Sequence, residues 1–497
     1  MNKNIKSTRK YSYGFILINV LVFGVIAIIV TSALVNWGAT MLKSTRQLTS
    51  KEQALQIAEA GIDYYRWHLA HASNDYKDGN ATTTNGPFVH NFEDKDGNII
   101  GQYALTITPP ITGSTLIKII SKGTVVSDST VSRTIQVSLA IPSFAKYAVV
   151  ANDIMNFGAG TEVFGPIHSN GGIHFDGLAH NVITSALTKY IDTDQSSSWY
   201  QFGVYTSLNP SELNNDSTPP SVVPSRPDVF LAGRQFPVAV VDFTGITTDL
   251  SSMKANAISG GKYFAGSGAQ GYHIILRTND TFDIYKVNSL KSAPNNCSNS
   301  QSETGWGTWS INTTGGAQTF IANYPIPANG IIFVEDHVWV DGQINSARVT
   351  IAAGKFPDSS STWKYIIVND NLIYTNYDGQ DTIALIAQGN VITGLYNDPN
   401  ADGNLRIDAA LMAQNDHAGR YYYSSSCGST YKENTLTLFG MIGTNKRYGF
   451  AWGNSSSITS GFQTRSIIYD SNLLYAPPPS FPLTSNQYST LSWQELK

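Results

Sequence analysis

Residues 14–42, GFILINVLVFGVIAIIVTSALVNWGATML, decide how the rest of the chain is read. No charged residue occurs from Tyr11 to Leu42. Crossing a bilayer takes about 20 apolar residues, and residues 15–35 supply them. The leader in front, MNKNIKSTRKYSYG, carries Lys3, Lys6, Arg9 and Lys10 without an acid. Positive charge is retained in the cytoplasm, so this leader places the N-terminus inside and the bulk of the chain outside. Behind Leu42 the apolar pattern becomes amphipathic, in LTSKEQALQIAEAGIDYYRWHLAHA. Leu48, Leu55, Ile62 and Leu69 recur at every seventh position, with Ala58 and Tyr65 between them on the same face. The spacing predicts one helix over residues 15–71, roughly 85 Å long. Asn74, Asp78–Gly79 and Asn85–Gly86–Pro87 supply its stop. A secretory signal peptide is the rival reading, but its apolar core would be shorter and would end at a small-residue cleavage site.

At 497 residues the chain is too long for one ordinary core, and two or three domains are expected. Only 14% of residues are charged, while 41% are hydrophobic and 11% aromatic, a composition that builds cores and excludes disorder. A net charge of −4 over the whole length leaves no basic face for nucleic acid, so no nucleic-acid partner is expected. Cys297 and Cys427 are the only cysteines and show no CxxC spacing. With an extracytoplasmic body they are candidates for one disulfide, closing a loop of about 130 residues. Two unrelated buried thiols are the equal alternative.

The short basic leader, Gly14 at its end and Phe15 opening the apolar helix resemble the N-termini of class III signal proteins, the type IV pilins and type II secretion pseudopilins. The stretch QALQIAEAGIDYYRWHL (residues 53–69) is similar to the PilX-type pilus assembly proteins, the minor pilins and pseudopilins with an Ala-Glu-Ala-Gly stretch on the second half of the helix. The resemblance implies that a prepilin peptidase cuts after Gly14 and that Phe15 becomes the N-methylated mature terminus. It also implies that the helix serves first as membrane anchor and then as filament core, with Leu48, Leu55, Ile62 and Leu69 packing against other pilin subunits. One residue departs from the pattern. Major pilins carry glutamate at the fifth mature position, and here that position is Asn19. A buried carboxylate is tolerable only when paired, so Asn19 removes the need to sit beneath another subunit. It points to a minor or tip subunit.

From Gln102 the period changes to two. YALTITP, LIKIISKGTVV and SRTIQVSLAIP read as three antiparallel strands of a small meander. The expectation for residues 72–142 is an α+β pilin-like head. The DKDGN stretch at 94–98 reads as a hairpin loop. Residues 143–475 form a larger β-rich domain, in which short apolar strands end repeatedly in Gly, Asn or Asp: VWVDGQI, TIALIAQGNVI, LRIDAALMAQ, LTLFGMIGT. That texture fits a β-solenoid in which each coil stacks on the next. A β-sandwich is the alternative. Residues 208–228 read as a Pro/Ser/Asn-rich surface loop, 249–258 as a short helix, 271–287 as a hairpin and 290–318 as a polar loop exposing Cys297. Residues 476–497 form a Pro/aromatic tail whose Tyr475, Phe481, Tyr488 and Trp493 are candidate anchors along a groove.

Three groups bear on chemistry. DPNADGNLRID places Asp398, Asn400, Asp402 and Asn404 like the first half of an EF-hand loop, with Gly403 at the turn and Asp408 as a further carboxylate; Ca²⁺ is the candidate ion, and a metal-free Asx turn the alternative. His168, His174 and His180 stand six apart, about 20 Å between neighbours along one strand, too far to share a metal unless the strand folds back. Asp336, Asp341, Asp370 and Asp381 could gather across solenoid coils as they do in glycan-active enzymes, but isolated acids in turns usually cap them. No GxSxG, HExxH or P-loop is present. The expected protein is therefore not an enzyme. It is a pilin-like subunit at the membrane and later at the cell surface, displaying a β-rich module for assembly priming or for adhesion to a surface ligand. The alternative is a non-polymerising anchored binding module or glycan-active β-helix enzyme.

Overall fold

The structure, a computed structural model, describes residues 13–81, 84–110, 114–218, 221–397, 402–453, 457–485 and 487–496. The fold is α+β: a long N-terminal helix, an antiparallel meander and a large body of strands. The chain divides into two compact units. One runs up to Pro109 and adds Lys118–Ser138 and the residues from Ser492. The other comprises Pro110–Ile117 and Leu139–Leu491.

The first unit is built on α1 (Tyr13–His71), 59 residues without interruption. That is about 88 Å at 1.5 Å per residue. It ends where expected, and the acids after it explain why. The Asp75 carboxylate accepts from the backbone N–H groups of Lys77 and Gly79, and Tyr65 donates to the Asp75 carbonyl oxygen at 2.8 Å. Asp78 accepts from the Tyr64 hydroxyl at 3.0 Å and lies 2.6 Å from His90 Nε2. These bonds fold the chain back against the last helical turns.

The second half of α1 buries Ala54, Ile57, Ala58, Ile62, Tyr65 and Leu69 on a sheet of β1 (Phe88–Glu93), β2 (Ile99–Thr108), β3 (Ile117–Val125) and β4 (Asp128–Ala140). The pairs β1–β2 and β2–β3 are antiparallel. Close approach is made possible by missing side chains. A Cβ on Gly123 of β3 would stand 2.1 Å from the Ala54 carbonyl oxygen, and one on Gly61 of α1 would stand 2.5 Å from Ser121 Oγ. Helix backbone thus rests almost directly on strand backbone.

Two strands of this sheet escaped the sequence reading. One is β1. The other is Ser489–Leu496, next to β4 in the sheet, with Glu495 ion-paired to Arg133. The terminal residues are therefore not a groove-binding tail. The Pro-rich part before them belongs to the other unit, where Phe481 is buried, Arg348 donates to the carbonyls of Ala476 and Pro477, and Thr350 donates to that of Pro479.

The second unit is a parallel β-solenoid with three ladders of strands. On the first, residues at one register position stack as Ile332, Ile351, Leu385, Leu411, Ile442, Val149, Ile167 and Ile183. All eight are fully buried. The other side of this ladder is buried too, beneath α2 (Ile246–Gly260) and the Leu473–Phe481 region, which explains continuous apolar runs such as TIALIA. A second ladder runs beside it. Strands Asn404–Ala413 and Lys432–Thr444 serve both, turning between them near Gly440, whose φ of 147° suits glycine and whose Cβ would meet the Ala409 carbonyl oxygen at 2.1 Å. On the third ladder, Val338–Ile344, Ile366–Ile367, Val391–Thr393 and Ala418–Arg420 lie parallel.

The coils do stack, as a solenoid requires, but not in chain order. The strand Lys432–Thr444 pairs with Val149–Ala151, and Ile458–Tyr469 pairs with Thr161–Phe164. The end of the domain is thus followed in the stack by its beginning. Residues 288–317 are not a free loop. They lie across the third ladder, where Trp339 and Asn369 donate to the Trp309 carbonyl and Tyr423 to that of Gly307. Cys297 is half-buried there and joined to Cys427, at a Cα–Cα distance of 4.4 Å.

Two outcomes follow for stability. Gly123→Ala forces backbone atoms apart and is expected to cost about 1–3 kcal/mol, read as faster hydrogen–deuterium exchange of the β2 and β3 amides with exchange in the solenoid unchanged. Replacing both Cys297 and Cys427 by serine releases a loop spanning 130 positions. The expected loss is about 4–5 kcal/mol in the second unit, seen as a lower melting temperature that reductant no longer changes.

Candidate functional site

The first candidate surface is the N-terminal half of α1. Gly14 and Phe15 lie in its first turn, so the peptide bond between them is helical. Phe15, Asn19 and the large apolar residues to Leu42 are exposed, and none of the most apolar stretch is covered by this chain. This helix is long and apolar enough to cross a membrane. The four residues of the seven-residue stripe separate in the structure. Leu48 is exposed and Leu55 half-buried, whereas Ile62 and Leu69 are buried under the chain's own sheet. Of the four, the first two alone retain accessible surface.

The expected calcium loop divides as well. Asp398 and Asn400 lie outside the described residues. Asp402 Oδ1 accepts from the backbone N–H of Asn404, an ordinary Asx turn. Asp408 does not face that turn. It is fully buried; its Oδ2 accepts from Tyr374 N–H at 3.1 Å and the Tyr377 hydroxyl at 2.6 Å, and its Oδ1 from Arg406 Nε at 2.9 Å. A strand alternates its side chains, and position 408 falls on the protein side. Among the described residues no three acidic, histidine or cysteine side chains converge as a metal site. Asp336 and Asp381 likewise cap turns, accepting from Ser267 and from the backbone of Ala347, Thr375 and Asn376. Asp341 holds His273 at 2.6 Å.

The spaced histidines also part. His168 bonds Thr184 and Asn170, and His180 bonds Glu162 while stacking on Phe164. His174 is almost fully buried, stacked on Tyr205 with ring centroids 4.5 Å apart. Its Nε2 lies 3.0 Å from Asp176 Oδ2 and its Nδ1 3.5 Å from Asp192 Oδ2, both out of line for a hydrogen bond. Burial opposes ionisation of Asp176, but His174 and the donors of Ser207 outweigh it and hold the carboxyl down at about 2.

His174 and Asp176 belong to the wall of a cavity of about 610 Å³ that no local motif announces. Its origin is topological. The first two ladders continue across the seam between residues 432–469 and residues 149–169, but the third does not. There Met155–Phe157, Ile173–Phe175 and Val204–Tyr205 form their own parallel sheet. Residues 451–453 instead pair antiparallel with 458–461, and among the described residues an isolated bridge joins Gly449 to Gly419. The gap opens at that missing rung. Arg465 fastens the seam, donating to the carbonyls of Gly158, Ala159, Phe462 and Gln463 and to Thr161 Oγ1.

The cavity is rich in charge arranged in pairs. Arg447 reaches Asp194 at 2.5 Å, and Asp416 lies 3.3 Å from His417 and 3.5 Å from Lys446. Burial opposes ionisation of Asp416, yet these two neighbours keep its carboxyl below the usual range. Glu303, from the crossing segment, accepts from the Tyr422 N–H, and burial pushes its carboxyl up. Trp452, anchored by its Nε1–H to the Arg420 carbonyl at 3.0 Å, adds an aromatic surface, and Tyr448 stacks on Phe157 beneath. Six separated stretches contribute, from residues 153–161, 174–176, 194–195, 303, 416–420 and 446–465, so no local spacing signals it.

No known family model matches this chain, and no curated protein sequence does. Among solved structures the chain is similar to the competence-associated pilin ComZ from Thermus thermophilus, at 14% identity over 90% of this chain and 98% of that one, with a TM-score of 0.31. A score of that size transfers no residue role to this chain.

Proposed function

We propose that this chain is a minor or tip pilin-like subunit of a type IV pilus or related secretion filament. One observation carries the reading: a charge-free helix half, opened by Gly14–Phe15, that the chain leaves wholly uncovered. Apolar surface of that extent must be removed from water, first by lipid and then by neighbouring helices. In this reading a prepilin peptidase cuts after Gly14 on the cytoplasmic side and Phe15 becomes the methylated terminus. Leu48 and Leu55 extend the packing face towards other subunits. Asn19 in place of a carboxylate relieves the subunit of an ion pair to a neighbour, which suits a terminal or occasional place in the filament. The solenoid unit is then displayed at the cell surface and acts by binding, without catalysis.

The competing reading is a permanently anchored surface module that never polymerises. Intact mass and N-terminal sequencing of the membrane-extracted protein separate the two. A mature chain starting at methylated Phe15 is expected, and Gly14→Val is expected to leave the leader attached. An intact Met1, or a cut near Ala39, overturns the filament reading.

A further inference from the structure

We propose that the seam cavity is a binding site for a short, uncharged oligosaccharide. Its volume of about 610 Å³ lies within the range of small-molecule sites, roughly 300–1,000 Å³. Nine of its 22 lining residues are charged, in a chain where 14% are, so charge is concentrated where the third ladder fails. Arg465, Arg420 and Asp176 are already bonded within the protein, so the charged groups left facing a ligand are the partly exposed ones, Asp194, Arg447 and Lys446.

The sign of the charge selects the ligand class. Five of the charged residues are acidic and four basic, and the outer ones are paired, as in Asp194–Arg447 and Asp416–Lys446. A polyanion would meet Asp194 beside Arg447 and Asp416 beside Lys446, and a cation would meet those bases beside the acids. A sugar hydroxyl both donates and accepts, so it can bridge such a pair, giving its proton to Asp194 or Asp416 and accepting from Arg447 or Lys446. Asn156, 3.5 Å from Asp194 Oδ2, extends the same row. Trp452 supplies the remaining element, a partly exposed flat ring that can cover the apolar C–H face of a pyranose. A peptide would call instead for an open strand edge and apolar side-chain pockets, whereas Tyr448 and Phe450, large apolar side chains of this wall, are themselves buried.

The test uses the full chain in detergent and a panel of neutral oligosaccharides of two to four hexose or N-acetylhexosamine residues. Uronate oligosaccharides, a short oligonucleotide and an extended peptide complete the panel. Saturation-transfer NMR and calorimetry are expected to show binding of at least one neutral member. Asp194→Asn, nearly the same shape on a half-exposed side chain, is expected to weaken it at least tenfold without changing the melting temperature. Trp452→Ala should do the same, with Trp452→Phe retaining most of the affinity should the alanine variant unfold. The proposal is overturned by failure of every neutral member to bind, by equal or tighter binding of the uronate, oligonucleotide or peptide probes, or by Asp194→Asn binding like the unaltered chain.

Discussion

The second unit depends on one constraint, the vertical stacking of aliphatic side chains. Eight residues from Ile332 to Ile183 occupy the same register on successive coils, each covering the next. Parallel strands stand about 4.8 Å apart, so each rung touches the ones above and below while its backbone bonds both. Burying a Leu or Ile is worth roughly 1.5–3 kcal/mol, but only if the register holds, since a slip of one residue turns every side chain to the opposite side. The alternation in each strand is therefore an instruction for stacking. It does not specify which coil lies above which, and here the last coil finds the first.

That closure creates the cavity. Two ladders cross the seam intact because residues 442–444 and 465–468 find parallel partners at 149–151 and 161–164. The third is left to a short antiparallel pair and one bridge, and the space is filled with paired charge. Arg465, buried and bonded to carbonyls from both sides, keeps the joint from opening. The disulfide ties residue 297, on the segment crossing this same face, to residue 427.

In the first unit the two halves of one helix obey opposite demands. From Phe15 to Leu42 side chains are exposed and apolar, which water does not tolerate without a partner. From Ala54 onward the helix is a component of its own head, pressed against glycine-bearing strands. This division explains why Ile62 and Leu69, which continue the stripe of Leu48 and Leu55 in sequence, do not continue its surface. Periodicity tells which face is apolar; only packing tells what covers it.

Much of the architecture was therefore legible from local chemistry. A charge-free run, a seven-residue repeat and the acids after His71 define α1, and period-two alternation defines the meander and the coils. The Asn404–Ala413 strand was legible too, yet Asp408 on it was not, because a carboxylate beside Asx-rich residues looks the same whether it faces a loop or bonds Tyr377 and Arg406 beneath it. What sequence alone determined is the helix and most of the strands, though not Phe88–Glu93 or Ser489–Leu496, since helix and strand arise largely from interactions among near neighbours. Tertiary structure alone decided the stacking of the domain's end on its beginning, the return of Ser489–Leu496 to the head sheet, and the cavity at the seam. Each of those joins residues hundreds of positions apart, where the choice of partner is made by buried area and ladder register and leaves no local trace.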